Sequence, residues 1–222
     1  MLDRFVDRES AGRALAQKLL KYKETPDLLI IGLPRGGLVV AFEVARALQA
    51  QLEVFIVRKL GAPYQPELAM GAVAEGGSLL LNDAIVNFLS ISRDFIEQSA
   101  KEQIIELERR QKLYRGDRAI AKITGRTVLV VDDGLATGAT MKAAVRALKR
   151  KEPSKLVIAV PLGAASTCSE LKEEADELIC LMTPEPFSAV GSYFENFEQT
   201  TDQQVCELLQ KAFDLHLGHL SS

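Results

Sequence analysis

The chain has 222 residues, 47% of them hydrophobic, which is enough for one domain with a sizeable core or a core plus a small appendage. A net charge of −3 and a pI of about 5.6, with no long basic tract, do not favour a nucleic-acid partner. Three cysteines without metal-ligand spacing argue against a complete disulfide framework, and no apolar run is long enough to span a membrane, so a reducing cytoplasm is the expected compartment.

In chain order, residues 1–25 are charged and helix-patterned, without the apolar core of a signal peptide. Ala11, Leu15, Ala16, Leu19 and Leu20 mark one face of a helix over 9–22, with Asp7 or Ser10 as its cap. Arg8 and Arg13 read as partners in surface ion pairs. Leu28 to Ile31 form a buried strand, followed by Gly32-Leu33-Pro34-Arg35-Gly36-Gly37. Glycines around a permanent cation let backbone and charge approach an anion together. Leu38, Val40, Val44, Ala47 and Leu48 then line the buried side of a helix. A second strand, Glu53 to Val57, ends in Arg58-Lys59, two adjacent cations that would repel unless an anion or solvent relieves them.

Residues 61–67 read as a loop, and Met70 to Glu75 should pair with Ser78 to Leu81 as a hairpin across Gly76-Gly77. A short helix opens at Asp83, and a longer one over 92–114 carries one apolar stripe (Ile96, Ala100, Ile104, Leu107). The cations Arg109, Arg110, Lys112, Arg115 and Arg118 read as a charged, solvated helix face.

Val128 to Val131 have the non-alternating, β-branched character of a strand covered on both faces. Asp132 and Asp133 then fall at its carboxyl end, expected to face solvent, where open α/β sheets place ligands. Gly134-Leu135-Ala136-Thr137-Gly138-Ala139-Thr140 has little bulk and two hydroxyls, and it feeds a helical pattern through Met141, Ala144, Val145 and Leu148. A helix N-terminus favours a phosphate. Together the strand, acidic pair and anion-cradling turn suggest a sugar phosphate, with its phosphate in the loop and its hydroxyls on the carboxylates.

This stretch resembles the phosphoribosyl-diphosphate (PRPP) motif of type I phosphoribosyltransferases: an apolar run, two acids and a Thr-Gly-x-Thr close. Phe5 with Asp7-Arg8 and Ala11-Gly12-Arg13 likewise resembles the opening of bacterial proteins provisionally named as phosphoribosyltransferases. The resemblance implies that Asp132 and Asp133 contact the ribose hydroxyls while residues 134–140 bind the 5′-phosphate. It implies a diphosphate-binding set of Pro34, Arg35, Gly36, Gly37, Arg58 and Lys59, and a flexible loop or hairpin over 61–69, including Tyr64 and Glu67, that closes over PRPP. Catalytic roles would fall to Asp132, Asp133, Arg35 and Lys59, and Mg²⁺ would bind mainly through PRPP and water. Between Gly61 and Asn82 there is no Lys or Arg, although many such loops bring in a basic group.

Further on, Lys155 to Val160 and Leu178 to Met182 complete the strands, and Ser166 or Thr167 could cap the helix between them. Phe187, Tyr193, Phe194 and Phe197 concentrate aromatic residues in a polar region. The family's variable hood, under which the acceptor base stacks, would include Phe187, Tyr193 and Phe194; core or lid packing explains these aromatics equally well. A last helix follows Thr200 or Thr201, and His216 and His219 read as tail residues in solution.

The expected architecture is α/β: a doubly wound, mostly parallel sheet in a single domain over 1–222. The core would span about 28–182, with the N-terminal helix, the 92–118 segment and the C-terminal segment as additions. The function implied is Mg-dependent phosphoribosyl transfer from PRPP to a nitrogenous base or related amine. The alternative is a non-catalytic PRPP sensor or an RNA- or protein-binding module on the same fold. A homodimer is left open, and no membrane partner is expected.

Overall fold

The structure, a computed structural model, describes residues 4–220 apart from the side chains of Glu67 and 217–220. Its elements run α1 (Arg8–Leu19), β1 (Leu29–Gly32), α2 (Gly36–Leu48), β2 (Gln51–Val54), β3 (Val57–Ala62), β4 (Gln65–Ala74), β5 (Ser78–Leu81), α3 (Asp83–Phe88), α4 (Arg93–Arg115), β6 (Thr127–Val131), α5 (Ala139–Lys149), β7 (Lys155–Leu162), α6 (Ala165–Lys172), β8 (Glu177–Met182) and α7 (Asp202–Leu220).

Five strands form a parallel sheet in the order β2-β1-β6-β7-β8. Their apolar runs are continuous because both faces are covered. Leu29, Ile31, Val128, Val130, Ile158 and Val160 face α5 and α6. Ile30, Leu129, Val131, Val157 and Ala159 face α1 and α2. The alternation of a single strand thus feeds two cores, as expected of a doubly wound sheet. From β1 the chain crosses by α2 to β2 on one side, whereas β6 to β8 extend the sheet on the other. The carboxyl ends of β1 and β6 therefore flank the switch in strand order, the place where such sheets bind ligands.

The β4–β5 hairpin forms as expected, with Gly76 and Gly77 at φ +89° and +78°. Of the loop or hairpin expected over 61–69, the hairpin forms: β3 pairs antiparallel with β4, turning at the exposed Tyr64 (φ +61°), so residues 61–69 belong mostly to a second, three-stranded sheet. The second predicted strand also divides at Phe55 and Ile56, leaving Arg58 and Lys59 inside β3 rather than at the end of a core strand. Low apolar periodicity around two prolines concealed this pairing, which depends on partner strands rather than on local composition.

Helix α4 packs against β3, β4 and α7. At its last turn Arg115 is 8% exposed and bonded to Glu53 of β2 and to Glu75 beyond β4. This residue is therefore a buried tie rather than part of a solvated face. At the other end of the chain α1 begins with the expected Asp7 cap, reciprocated by Ser10; such caps contribute about 0.5–2 kcal/mol. Leu20, expected on the apolar face, is 44% exposed in the short 3₁₀ turn that follows α1. His216 lies beside Phe42 and Ala45 of α2 instead of in a solvated tail; the side chain of His219 is outside the described residues. All three cysteines are free. Among the described residues no helix is long and apolar enough to cross a membrane.

Candidate functional site

Two loops meet where β1 and β6 end. The ladder between the strands continues past them, Leu33 N donating to Val131 O at 3.0 Å. The first loop then passes through a cis Pro34–Arg35 peptide into Gly36 and Gly37, which open α2. The second carries Asp132 and Asp133. Their approach leaves no room for side chains on the first loop. A Cβ built on Gly36 would lie 2.1 Å from Asp133 Oδ2, and one on Gly37 would lie 2.5 Å from Asp132 Oδ1. Glycine is needed here for proximity, since neither residue has a positive φ.

Asp132 and Asp133 are more enclosed than a solvent-facing strand end would be. Burial, reinforced by the neighbouring Asp133 charge, pushes the Asp132 carboxyl well above the usual carboxylate range. Burial also raises Asp133, against the opposing pull of the Arg8 guanidinium. Arg8 Nε donates to Asp133 Oδ2 at 2.7 Å, the two side chains being 12% and 16% exposed. Arg8 is thus a component of the acidic site and not the surface partner expected; Arg13 does form an exposed pair with Glu9 at 3.5 Å. Only the fold could reveal this role, because 125 residues separate Arg8 from Asp133.

Residues 134–138 link β6 to α5 and are fastened from the far side. Leu135 N donates to Leu162 O at 3.0 Å, and Ala164 N donates to Leu135 O at 2.8 Å. Thr167 does not cap α6. Its Oγ1 donates to Ala136 O at 2.6 Å, so α6 holds the loop from behind. Gly138 adopts φ +68°, and a Cβ there would lie 2.6 Å from Thr167 Cγ2. Helix α5 begins without a side-chain cap bond, leaving its first amides without helical carbonyl partners. Thr137 and Thr140 are exposed beside them.

The cationic candidates diverge. Arg35 stands at the start of α2, its Nη1 3.8 Å from Asp202 Oδ1 of α7; Asp202 also accepts from Tyr114 Oη at 2.6 Å. Arg58 Nε donates to Gln103 Oε1 of α4 at 3.0 Å, and burial, with help from Arg110, lowers the guanidinium pKa. Strand alternation turns the neighbouring Lys59 to the opposite face, where its pairing partner Ala72 lines a cavity with Ala139 and Lys142 of α5. Arg58 and Lys59 therefore do not act as one cation pair. Tyr64 is fully exposed at its hairpin tip, and the Glu67 side chain is outside the described residues.

The aromatic segment after β8 closes the remaining side. Phe187 and Tyr193 stack at 5.5 Å, whereas Phe194 is 5% exposed and packs between Phe5 and Phe197. Phe194 thus forms the interior of this segment. Sequence reading overlooked Val190, whose methyl Cγ1 would be 2.7 Å from a Cβ on Gly134. The ring of Phe197, the fourth aromatic of the segment, lies 3.7 Å from Arg8 Cζ. The segment consequently meets the loop at Gly134 and reaches the acidic pair only through Arg8.

Two proteins of Mycobacterium tuberculosis, provisionally named phosphoribosyl transferases, are 45% identical to this chain over 208 residues, 94% of its length. The chain spans about half, 47%, of the length of these curated relatives. A uracil phosphoribosyltransferase of Paenarthrobacter aurescens is 26% identical over 150 residues, 63% of this chain and 65% of that protein. The crystal structure of TT1426 from Thermus thermophilus superposes with a TM-score of 0.82 at 41% identity, covering 94% of this chain and 98% of that one. That coverage includes terminal additions as well as the sheet. The family model described as the phosphoribosyl transferase domain matches residues 3–193, a span that takes in both loops, the acidic pair and Arg8, and the chain belongs to that family.

Proposed function

We propose that the chain binds PRPP with magnesium and transfers its phosphoribosyl group to a nitrogenous base or related amine, releasing diphosphate. The observation that carries this reading is the meeting of Asp132 and Asp133 with Gly36-Gly37 at the switch point, beside an uncapped helix N-terminus. Ribose hydroxyls would bond the carboxylates, and the 5′-phosphate would take the amides and hydroxyls of residues 134–140. Such an arrangement binds both ends of a ribose phosphate and leaves C1 facing the first loop.

Displacement at C1 builds positive charge on the sugar and negative charge on the departing diphosphate. Asp132 and Asp133 orient the sugar and favour the first charge; Arg35 and Lys59 favour the second. Val190, Phe187 and Tyr193 belong to the segment assigned to the acceptor side, where they would exclude water that competes with the acceptor. The described residues contain no group of three or more His, Cys, Asp or Glu able to hold a metal. An oxygen-rich complex of diphosphate, sugar hydroxyls and water suits Mg²⁺, and we assign it no protein ligand. When bound, magnesium would neutralise part of the diphosphate charge.

Calorimetric titration with PRPP and Mg²⁺, followed by diphosphate release in the presence of purines, uracil and simple amines, tests the proposal. Saturable binding and acceptor-dependent release are expected; absence of PRPP binding at millimolar ligand would refute it. The second reading, a PRPP sensor without turnover, draws on the lack of Lys or Arg from Gly61 to Asn82 in the sheet beside the site. PRPP binding with no diphosphate release from any acceptor would favour that reading.

A further inference from the structure

Arg8 reaches the acidic pair from outside both loops, and the segment that carries it is fixed by several contacts. Phe5 N donates to Tyr193 O at 2.9 Å and Glu195 N donates to Phe5 O at 2.8 Å, tying the chain start to the hood. The Asp7–Ser10 capping box then fixes where α1 begins, with Arg8 as its first residue. The guanidinium lies over Phe197, donates Nη1 to Glu198 O at 2.7 Å and Nε to Asp133 Oδ2 at 2.7 Å. A planar, delocalised cation can stack on a ring while its edge bonds two acceptors in different directions; an ammonium cannot.

Around Asp133 the charged neighbours are Asp132 on its own strand end and Arg8 from α1. The α2 terminus presents only Gly36 to it. The hood presents a backbone carbonyl, that of Glu198, to Arg8. Removing Arg8 would take away the largest pull that opposes burial at Asp133.

We propose that Arg8 is a positioning residue of the ribose site, holding Asp133 in place as a charged acceptor for the sugar hydroxyls and coupling it to the hood through Phe197 and Glu198. This rests on the phosphoribosyl reading above. One carboxylate oxygen is committed to Arg8, and the other is left for the sugar. The same guanidinium thereby touches both the hood and the group that would orient ribose.

The test titrates PRPP with Mg²⁺ between about pH 5.5 and 9 into the full chain and its Arg8→Met, Arg8→Lys and Phe197→Leu variants, each first checked for cooperative melting. Arg8→Met weakens binding roughly tenfold or more at the acidic end, because Asp133 loses the guanidinium that opposes its protonation, and the deficit narrows as pH rises. Arg8→Lys, which keeps the charge, retains the wild-type pH dependence with a smaller loss. Phe197→Leu weakens binding in the same direction as Arg8→Met, and it serves as the probe should Arg8→Met fail to fold. Equal or tighter binding by Arg8→Met, or a deficit identical at every pH, overturns the proposal. Absence of PRPP binding by the wild-type chain instead overturns the phosphoribosyl reading on which it rests.

Discussion

Replacing Arg115 with methionine should destabilise the fold through a single orphaned carboxylate. Arg115 donates Nε to Glu53 Oε1 at 3.1 Å, Nη1 and Nη2 to Glu75 at 2.5 and 2.7 Å, and Nη2 to Val54 O at 3.1 Å. The side chains of Arg115, Glu53 and Glu75 are only 7%, 10% and 5% exposed. Methionine keeps most of the aliphatic stem, so the loss is chiefly ionic. Glu53 retains backbone donors from Val54 at 2.9 Å and Ala121 at 3.1 Å. Glu75 retains a single long bond from Ile56 N at 3.4 Å, so most of the cost falls there. Removing one partner of a buried pair costs about 3–5 kcal/mol, a large share of the ~5–15 kcal/mol that stabilises a typical domain. Urea unfolding should show a lowered midpoint with an unchanged slope. The double variant Arg115→Met/Glu75→Leu should recover most of the loss, because the uncompensated charge is gone. A single-variant cost below about 1 kcal/mol, or a double variant no more stable than the single, would refute the reasoning.

Gly36→Ala should abolish PRPP binding at a stability cost of about 1–3 kcal/mol, since its methyl group meets Asp133 at 2.1 Å and Arg8 Nε at 2.6 Å; unchanged affinity by calorimetry would contradict the close approach. Arg35→Ala should weaken PRPP more than ribose 5-phosphate, and equal losses for both ligands would remove Arg35 from the diphosphate side. Hydrogen bonds from Lys21 and Tyr22, with Lys155, hold the Glu177 carboxyl down at about 2, below its ordinary 4.5. A depressed carboxyl stabilises the fold above pH 4.5 and loses that contribution as pH falls toward 2. Glu177→Gln should therefore be less stable at neutral pH by under about 1 kcal/mol, given solvent screening, with the difference vanishing near pH 2. A constant difference across that range of denaturation curves would show that the ion pairs are not responsible.

The continuous run Val128–Val131, the acids behind it and the small-residue turn were legible because each signal is local. A strand covered on both faces needs apolar residues at every position, and a phosphate turn needs little bulk. The first helix, the β4–β5 hairpin and the core strands β1, β6, β7 and β8 followed likewise from capping, turn chemistry and periodicity. The partners of these groups came from the tertiary structure. Arg8 joins Asp133, Arg115 joins Glu53 and Glu75, and Thr167 joins the small-residue turn after β6 across separations of 31 to 125 residues. Sequence spacing carries no record of such distances, so a charged residue in a helix pattern reads as solvated until packing encloses it. The same limit separated Arg58 from Lys59: their adjacency was plain, but only antiparallel pairing with β4 decided that one faces α4 and the other the α5 side. Chemistry was thus written locally as residue types, while charge state and coupling were set by what the folded chain brought against them.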